Sequence, residues 1–483
     1  MNWIPGSISK GGSLSCHNWP SMATLSMCPV SVISKVIAMY PRFWLTLLIV
    51  QASISAASAQ ESWPGFRGLD RAGVGSEVPG LDNQPTDALT RWKASVPGAG
   101  WSSPIVHSGK VIVTSSTTDS VAPDPRKGLY ILDLQGKVQP GNRQWVVTAL
   151  DTTSGKQLWR VPVFEGTAQG TIHIKNSYAS ETPCCDDKVI VACFGNRGIA
   201  GLDHTGKILW KHDLPVRKTE MGWGPAASPV LHNGVVYWAM DSEDESVLWA
   251  LEATTGNTVW KKNRAEKSNW ATPFVWTHPS GVEIVTPGKG KVRSYDTKGD
   301  LLWELGGMSM IAIPTPSAGV IDGKPILFVS SGYVMDIRKP VFAIKPGARG
   351  DITLKLGESS NGSIVWRNGQ AGSYHPSPVL AGDRLHVLLD RGQMTSLDAA
   401  TGKALVDKAS VGKATHFTAS PVMAGNRLVA VTEDAEVLVL DPAYPSRILA
   451  RHAFGGMALA TPAVSGGALY VRTRDQIVQL RAP

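Results

Sequence analysis

Cysteine is scarce in this chain, and the usual catalytic signatures are missing. Of five cysteines in 483 residues, three fall together at Cys184, Cys185 and Cys193, with no pair of C-x-x-C steps that would suit a zinc site. There is no G-x-S-x-G elbow, no phosphate-cradling glycine loop and no H-E-x-x-H helix. Charge is thin as well, at 18% of residues, with a formal net of +8. The first 60 residues hold Lys10, Lys35 and Arg42 and no acid, so the remainder carries 44 cations against 39 acids, a net of +5. That mild excess, with no basic cluster interleaved with aromatics, argues against a nucleic-acid partner. Beyond the N-terminus no apolar run approaches the roughly 20 residues of a bilayer-spanning helix, so the mature chain is expected to be soluble, without an integral membrane segment.

The N-terminus is the exception. Arg42 followed by FWLTLLIV and then Ala57-Ser58-Ala59 has the order of a secretory signal: a positive start, a short apolar core and an A-x-A cleavage site before Gln60. Export follows as the expectation, to the periplasm, the cell envelope or the medium. A signal beginning near Met39 leaves 38 residues as an odd leader, so Met39 is the expected translation start. No cysteine stands at the cleavage point, which argues against a lipid anchor. The expected organisation is a leader and signal over residues 1–59, an extended segment over 60–90 and one repeat domain over 91–483.

Where the chain is rich is in tryptophan and in repetition. ALDTTSGKQLW at residues 149–159 returns as GLDHTGKILW at 201–210, ALEATTGNTVW at 250–260, SYDTKGDLLW at 294–303 and SLDAATGKALV at 396–406. The acid-to-Trp interval wavers, but the Gly-to-Trp interval is always four, including Gly362 to Trp366. The turn therefore absorbs insertions while the following strand keeps its register. The acid is suited to accept turn amides, the glycine supplies a positive φ, and the alternation that follows marks a half-buried strand with Trp on its buried side.

A second marker is Ser/Thr-Pro, which opens a strand eight times, at Pro104, Pro183, Pro229, Pro273, Pro316, Pro378, Pro421 and Pro462. Proline is tolerated at a strand start. Each is followed by an apolar strand, a short turn and another strand, which with the repeated hairpin makes a four-stranded antiparallel unit. Units of that size are β-propeller blades. The last unit ends after its third strand, and RWKASV at residues 91–96 supplies the fourth, closing the ring. The expected fold is an all-β, eight-bladed propeller, with seven blades as the alternative. Two insertions, at residues 117–144 and 345–362, are expected as loops on a face and as candidate interaction elements.

The repeat resembles the Trp-docking motif of the pyrroloquinoline-quinone (PQQ) dehydrogenase propellers. It is also similar to the repeat of the quinone-free propeller lipoprotein of the outer-membrane β-barrel assembly machine. WPGFRG, HIKNSYASETP and AIKPGARGDIT at residues 63–68, 173–183 and 343–353 resemble, more narrowly, a group of exported bacterial PQQ-like repeat proteins without an assigned activity. The resemblance implies that Trp159, Trp210, Trp260, Trp303 and Trp366 pack between neighbouring blades, with Val406 and Leu449 as departures. It also leaves two readings of Cys184 and Cys185: a vicinal disulfide, as in some quinone-dependent alcohol dehydrogenases, or buried thiols.

In a propeller the residues before each first strand converge at one channel mouth. These are Trp101, Tyr178, Trp223, Trp270, Met310, Tyr374 with His375, His416 with Phe417, and Met457, with Asn176 and Glu181 nearby. An aromatic, concave mouth of this kind is the expected ligand site, taking a protein, peptide or small molecule. His173, His375 and His416 could share a metal only if their loops met; single histidines in such a fold are more often structural groups, and no metal is expected. A PQQ and calcium site would need several oxygen ligands and a carboxylate base, and only Glu181, Asn176 and Asp336 are near enough in sequence. No cofactor is therefore expected. The leading reading is a non-catalytic binding scaffold, with a PQQ-dependent alcohol or sugar oxidoreductase and an envelope protein assembly factor as alternatives.

Overall fold

A computed structural model describes residues 62–483 apart from 71, 122–123, 131–134 and 414; the signal, the Met39 start and the 1–59 leader lie outside the described residues. Eight antiparallel sheets follow one another along the chain. Blades 1 to 7 begin with the strands Ile105–His107, Cys184–Cys185, Val230–His232, Phe274–His278, Ser317–Ile321, Val379–Ala381 and Val422–Ala424. Blade 8 consists of Ala463–Ser465, Ala468–Arg472 and Gln476–Leu480 with Thr90–Ser95 antiparallel to the last of these. The ring thus closes between the two ends of the repeat region, in an all-β eight-bladed propeller.

The core lies between blades rather than inside any one. The large hydrophobic clusters draw on adjacent sheets: Ile112, Val147, Ala192 and Leu202 join blades 1 and 2, and Val292, Trp303, Val329 and Phe342 join blades 4 and 5. Middle strands are therefore covered on both faces, as in the fully buried Ile190–Cys193 and Gly198–Leu202, and read as continuous apolar runs.

The repeated hairpin is a joint between successive blades. Its acid holds the turn, as when Asp151 accepts the amides of Thr153 and Ser154 at 3.1 and 2.7 Å. Its Trp docks on the next blade's turn. The indole N–H groups of Trp159, Trp210, Trp260 and Trp366 donate to the carbonyls of His204, Ala253, Thr297 and Ala399 at 2.9–3.2 Å. The turn glycine is the notch that receives the ring. Gly256 has φ 73° and Gly402 φ 71°, and a Cβ on either would stand 2.5 Å from the Trp210 or Trp366 ring. Trp92, in the strand that completes blade 8, does the same to blade 1, donating to Thr152 O at 3.0 Å beneath Gly155. Its likeness to the Trp after the repeat turn was the available signal for that role.

Trp303 departs from the pattern. Blade 5 carries the 345–362 insertion where the receiving turn would be. Trp303 stays in the seam but turns its N–H to the buried carboxylate of Glu283 at 2.7 Å, which also takes Ser294 Oγ at 2.6 Å. The insertion is not at the mouth. It follows a third strand and so emerges on the opposite face, where Gly350–Asp351 pairs in parallel with the outer strand of blade 4.

Cys184, Cys185 and Cys193 are buried and form no disulfide. Cys184 packs with blade 3 and Cys185 with blade 1, because adjacent strand residues face opposite sides. That geometry excludes the vicinal disulfide in this conformation.

Candidate functional site

The serine or threonine before each strand-opening proline stitches the ring at its centre. The amides of Ser103, Thr182 and Ser228 donate to the hydroxyls of Thr182, Ser228 and Thr272 at 2.9–3.2 Å. Those of Thr315, Ser377 and Ser420 donate to Ser377, Ser420 and Thr461 at 2.9–3.0 Å. Between blades 4 and 5 the link is Thr315 Oγ1 to Thr272 O at 3.4 Å. Between blades 8 and 1 the buried Arg472 donates to Ser102 O at 3.0 Å and Thr114 O at 2.8 Å. All eight of these hydroxyl residues line one cavity of about 260 Å³ at the channel mouth. The motif is legible in the sequence; that its hydroxyl, as well as its proline, matters is not.

The N-terminal segment closes the base of this cavity. Phe66 lines it from below and also lines a second cavity of about 540 Å³ at the far end of the channel. Beside it, the fully buried Arg67 donates to Pro378 O at 2.5 Å and Ala72 O at 2.9 Å, with no carboxylate among its described partners. Burial pulls its guanidinium pKa down to about 9. Val74–Gly75 then adds a parallel strand to the inner edge of blade 7. The segment expected to be merely extended is thus a stopper.

The walls are aromatic. Trp101, Trp223, Trp270, Tyr374 and His375 line the cavity as the sequence suggested, together with Tyr130 and Tyr333, which it did not single out. Trp223 and Trp270 have ring centroids 5.3 Å apart, and Tyr333 and Tyr374 5.0 Å. Trp270 is held by its N–H on Gly224 O at 2.7 Å. Tyr130 arrives from the 117–144 insertion, a loop between second and third strands and therefore on the mouth face. That loop crosses toward blade 7, where Gly128 N donates to Glu433 at 2.7 Å and Lys127 pairs with Asp434.

The remaining expected mouth residues have other tasks. Asn176 also lines the cavity, but its amide is engaged with Pro225 O at 3.0 Å and its oxygen with Ser180 Oγ at 2.9 Å. Tyr178 packs between blades 1 and 2 with its hydroxyl on Gly170 O at 3.0 Å. Phe417 is buried between blades 6 and 7, and His416 lies under Gly128 of the crossing loop. Met457 packs beside Trp101, and Met310 stands exposed at the rim. Glu181 is buried away from the cavity; burial lifts its pKa to about 8, opposed by the amide of Gly195.

Charge at the mouth is internally matched. Lys175 pairs with the buried Glu433 at 2.7 Å, which also takes Thr418 Oγ1 at 2.6 Å. His375 Nδ1 is held by Asp390. His173 instead meets the rings of Tyr130 and Trp223, so the three histidines do not converge. Among the described residues no group of three His, Cys, Asp or Glu side chains could hold a metal ion. The donor set does not fit a calcium and PQQ pair: Asp390 and Glu433 are spent on His375 and Lys175, and Asp336 on Ser309, Met310 and Arg338. Nor is any described helix long and apolar enough to cross a membrane.

Comparison with known proteins bears on the whole ring. A protein from Yersinia pestis named "Outer membrane protein assembly factor BamB" is 23% identical over 230 residues, 44% of this chain and 54% of that one; the match spans about half of that relative's length. A quinohemoprotein alcohol dehydrogenase from Comamonas testosteroni superposes with a TM-score of 0.58 at 13% identity, over 89% of this chain and 82% of its own. One from Pseudomonas putida HK5 gives 0.57 at 12%, over 89% and 81%. At such identities the likeness is one of fold. A protein-family model matches residues 142–337 and 350–448, well over half of the sequence, with a gap over 338–349 that spans the third strand of blade 5. The chain belongs to the family that this model describes, that of the outer membrane protein assembly factor BamB.

Proposed function

We propose that this protein is an exported, non-catalytic scaffold that holds a partner at the channel mouth. The observation that carries the reading is the cavity itself: closed below by Phe66, walled by aromatic rings from several blades, and lined by charged groups that already have partners. Such a surface can recognise a ligand, with its Lys175 and the Nδ1 of its His375 already held by carboxylates. Around it stand exposed apolar side chains on the mouth face, Met310, Met335 and Ile337, of the kind that marks contact with a larger partner.

A photo-crosslinking residue at Met335, compared with one at the exposed girdle residue Val259, tests this in producing cells. A specific adduct from Met335 and none from Val259 is the expected result. Saturable binding of PQQ with calcium, accompanied by dye-linked alcohol oxidation, would overturn it in favour of an oxidoreductase. The family match over residues 142–337 and 350–448 supports a narrower second reading, an assembly factor for envelope proteins. Under that reading the Met335 adduct is an outer-membrane β-barrel protein or a component that inserts one.

A further inference from the structure

The mouth combines two features that the docking role alone does not require, a floor of hydroxyls and walls of aromatic faces. Each of the eight Ser/Thr side chains in the stitching ring is at most 5% exposed, and all of them line the cavity. Six of them accept a neighbouring blade's amide. A hydroxyl whose lone pair is so used still has its own proton to donate. Six of the eight are thus short, buried donors around a narrow axis, while Thr315 Oγ1 is engaged with Thr272 O. Above it the rings of Trp101, Trp223, Trp270 and Tyr374 offer π-faces, whose negative quadrupole favours C–H groups edge-on or stacked.

Charge narrows the class of ligand. Lys175 is the one permanently charged side chain in the described lining, and Glu433 neutralises it at 2.7 Å. An anionic ligand would find no free cation, and a cationic one no free carboxylate. Volume narrows it further, since about 260 Å³ lies below the roughly 300–1,000 Å³ of sites for drug-sized molecules.

We infer that the mouth binds a neutral saccharide ring, its oxygens on the hydroxyl floor and its C–H face against the tryptophans. The inference rests on the mouth being a binding site, and it specifies what enters. His375, whose Nδ1 is fixed by Asp390, has Nε2 left to orient a sugar hydroxyl. The saccharide is either a free sugar or the end of a longer glycan; the ring chemistry is shared.

The test uses the full mature chain on an array of neutral and acidic glycans, with calorimetric titration of free glucose and N-acetylglucosamine. Saturable binding to a neutral glycan or sugar is expected, weakened at least tenfold by Trp270→Ala and several-fold by Ser377→Ala, and unchanged by Tyr444→Ser at the exposed surface. Thermal melts of each variant separate lost binding from lost folding, and Trp270→Phe, which keeps an aromatic face, should retain most of the affinity. Array binding without calorimetric heat assigns a glycan end, and the reverse assigns a free sugar. Binding confined to acidic glycans, or no glycan or sugar bound while Met335 still cross-links, overturns the saccharide and leaves the scaffold standing. Neither binding nor a Met335 adduct removes both.

Discussion

The outer girdle and the inner mouth are built by opposite means. At the girdle one device is repeated: a Trp on one blade rests in the glycine notch of the next, and wherever the notch is missing the Trp is absent or redirected. Blade 7 turns through DPAYPS at residues 441–446, without glycine, and blade 6 offers it Val406. Blade 5 lacks the notch, and Trp303 turns to Glu283. At the mouth nothing repeats except the stitching hydroxyls; the walls come from unlike linkers, a crossing loop and the N-terminal stopper. Stability is thus encoded periodically and recognition aperiodically, and the two should respond separately to mutation.

The largest break should come at the girdle. Trp210→Ala removes a buried ring and its bond to Ala253, and should cost about 3–5 kcal/mol in chemical denaturation. Ligand binding by the surviving folded protein should be unchanged, since Trp210 does not line the mouth. A matching loss of affinity would show that girdle and mouth are coupled.

Next in size is Glu181, in the linker that leads to the mouth. Its folded pKa of about 8 lies above the ordinary 4.5. The folded state therefore holds the proton between these values while the unfolded state releases it, and stability falls as pH rises through that window. Glu181→Gln should stabilise the protein by on the order of 3 kcal/mol above pH 8 and by little near pH 4. Denaturation at the two pH values reads the difference; equal effects would show that the carboxyl does not titrate there. Gly402→Ala follows, forcing a Cβ against Trp366 at a positive φ, at a cost of about 1–3 kcal/mol.

How much of this was legible in the sequence follows the same division. Blade number, ring closure and the tryptophans at 159, 210, 260 and 366 could be read because a repeated environment leaves a repeated signal. The mouth was legible only as a position along the chain. Trp101, Trp223, Trp270 and Tyr374 do line it, whereas Tyr178 and Phe417, equally close in sequence to a strand start, point into seams, and Glu181 is buried away from it. Side-chain direction in an irregular linker depends on local φ, as at Tyr178 with φ 58°, and no periodicity reports it. Tyr130 and Phe66 come from segments with no repeat at all. Between these cases stand the stitching hydroxyls: Ser420→Ala should cost only about 0.5–1.5 kcal/mol, yet weaken binding at the mouth, which a girdle change should not.

The smallest expected effect sharpens the comparison most. If a tryptophan stabilises by its own burial, Val406→Trp should restore what blade 6 lacks and raise the melting temperature. If Trp and notch work only as a pair, the new ring meets a turn without glycine, where side chains occupy the space that Gly256 or Gly402 leaves open elsewhere. The half-buried site then treats the substitution as a surface change, within about 0.5 kcal/mol of the parent. A glycine alone in the 441–446 turn should likewise give no gain, since it opens a notch with nothing to fill it. Stabilisation by both changes together that exceeds the sum of the two, measured as a double-mutant cycle, would place the information in the joint between blades rather than in either residue.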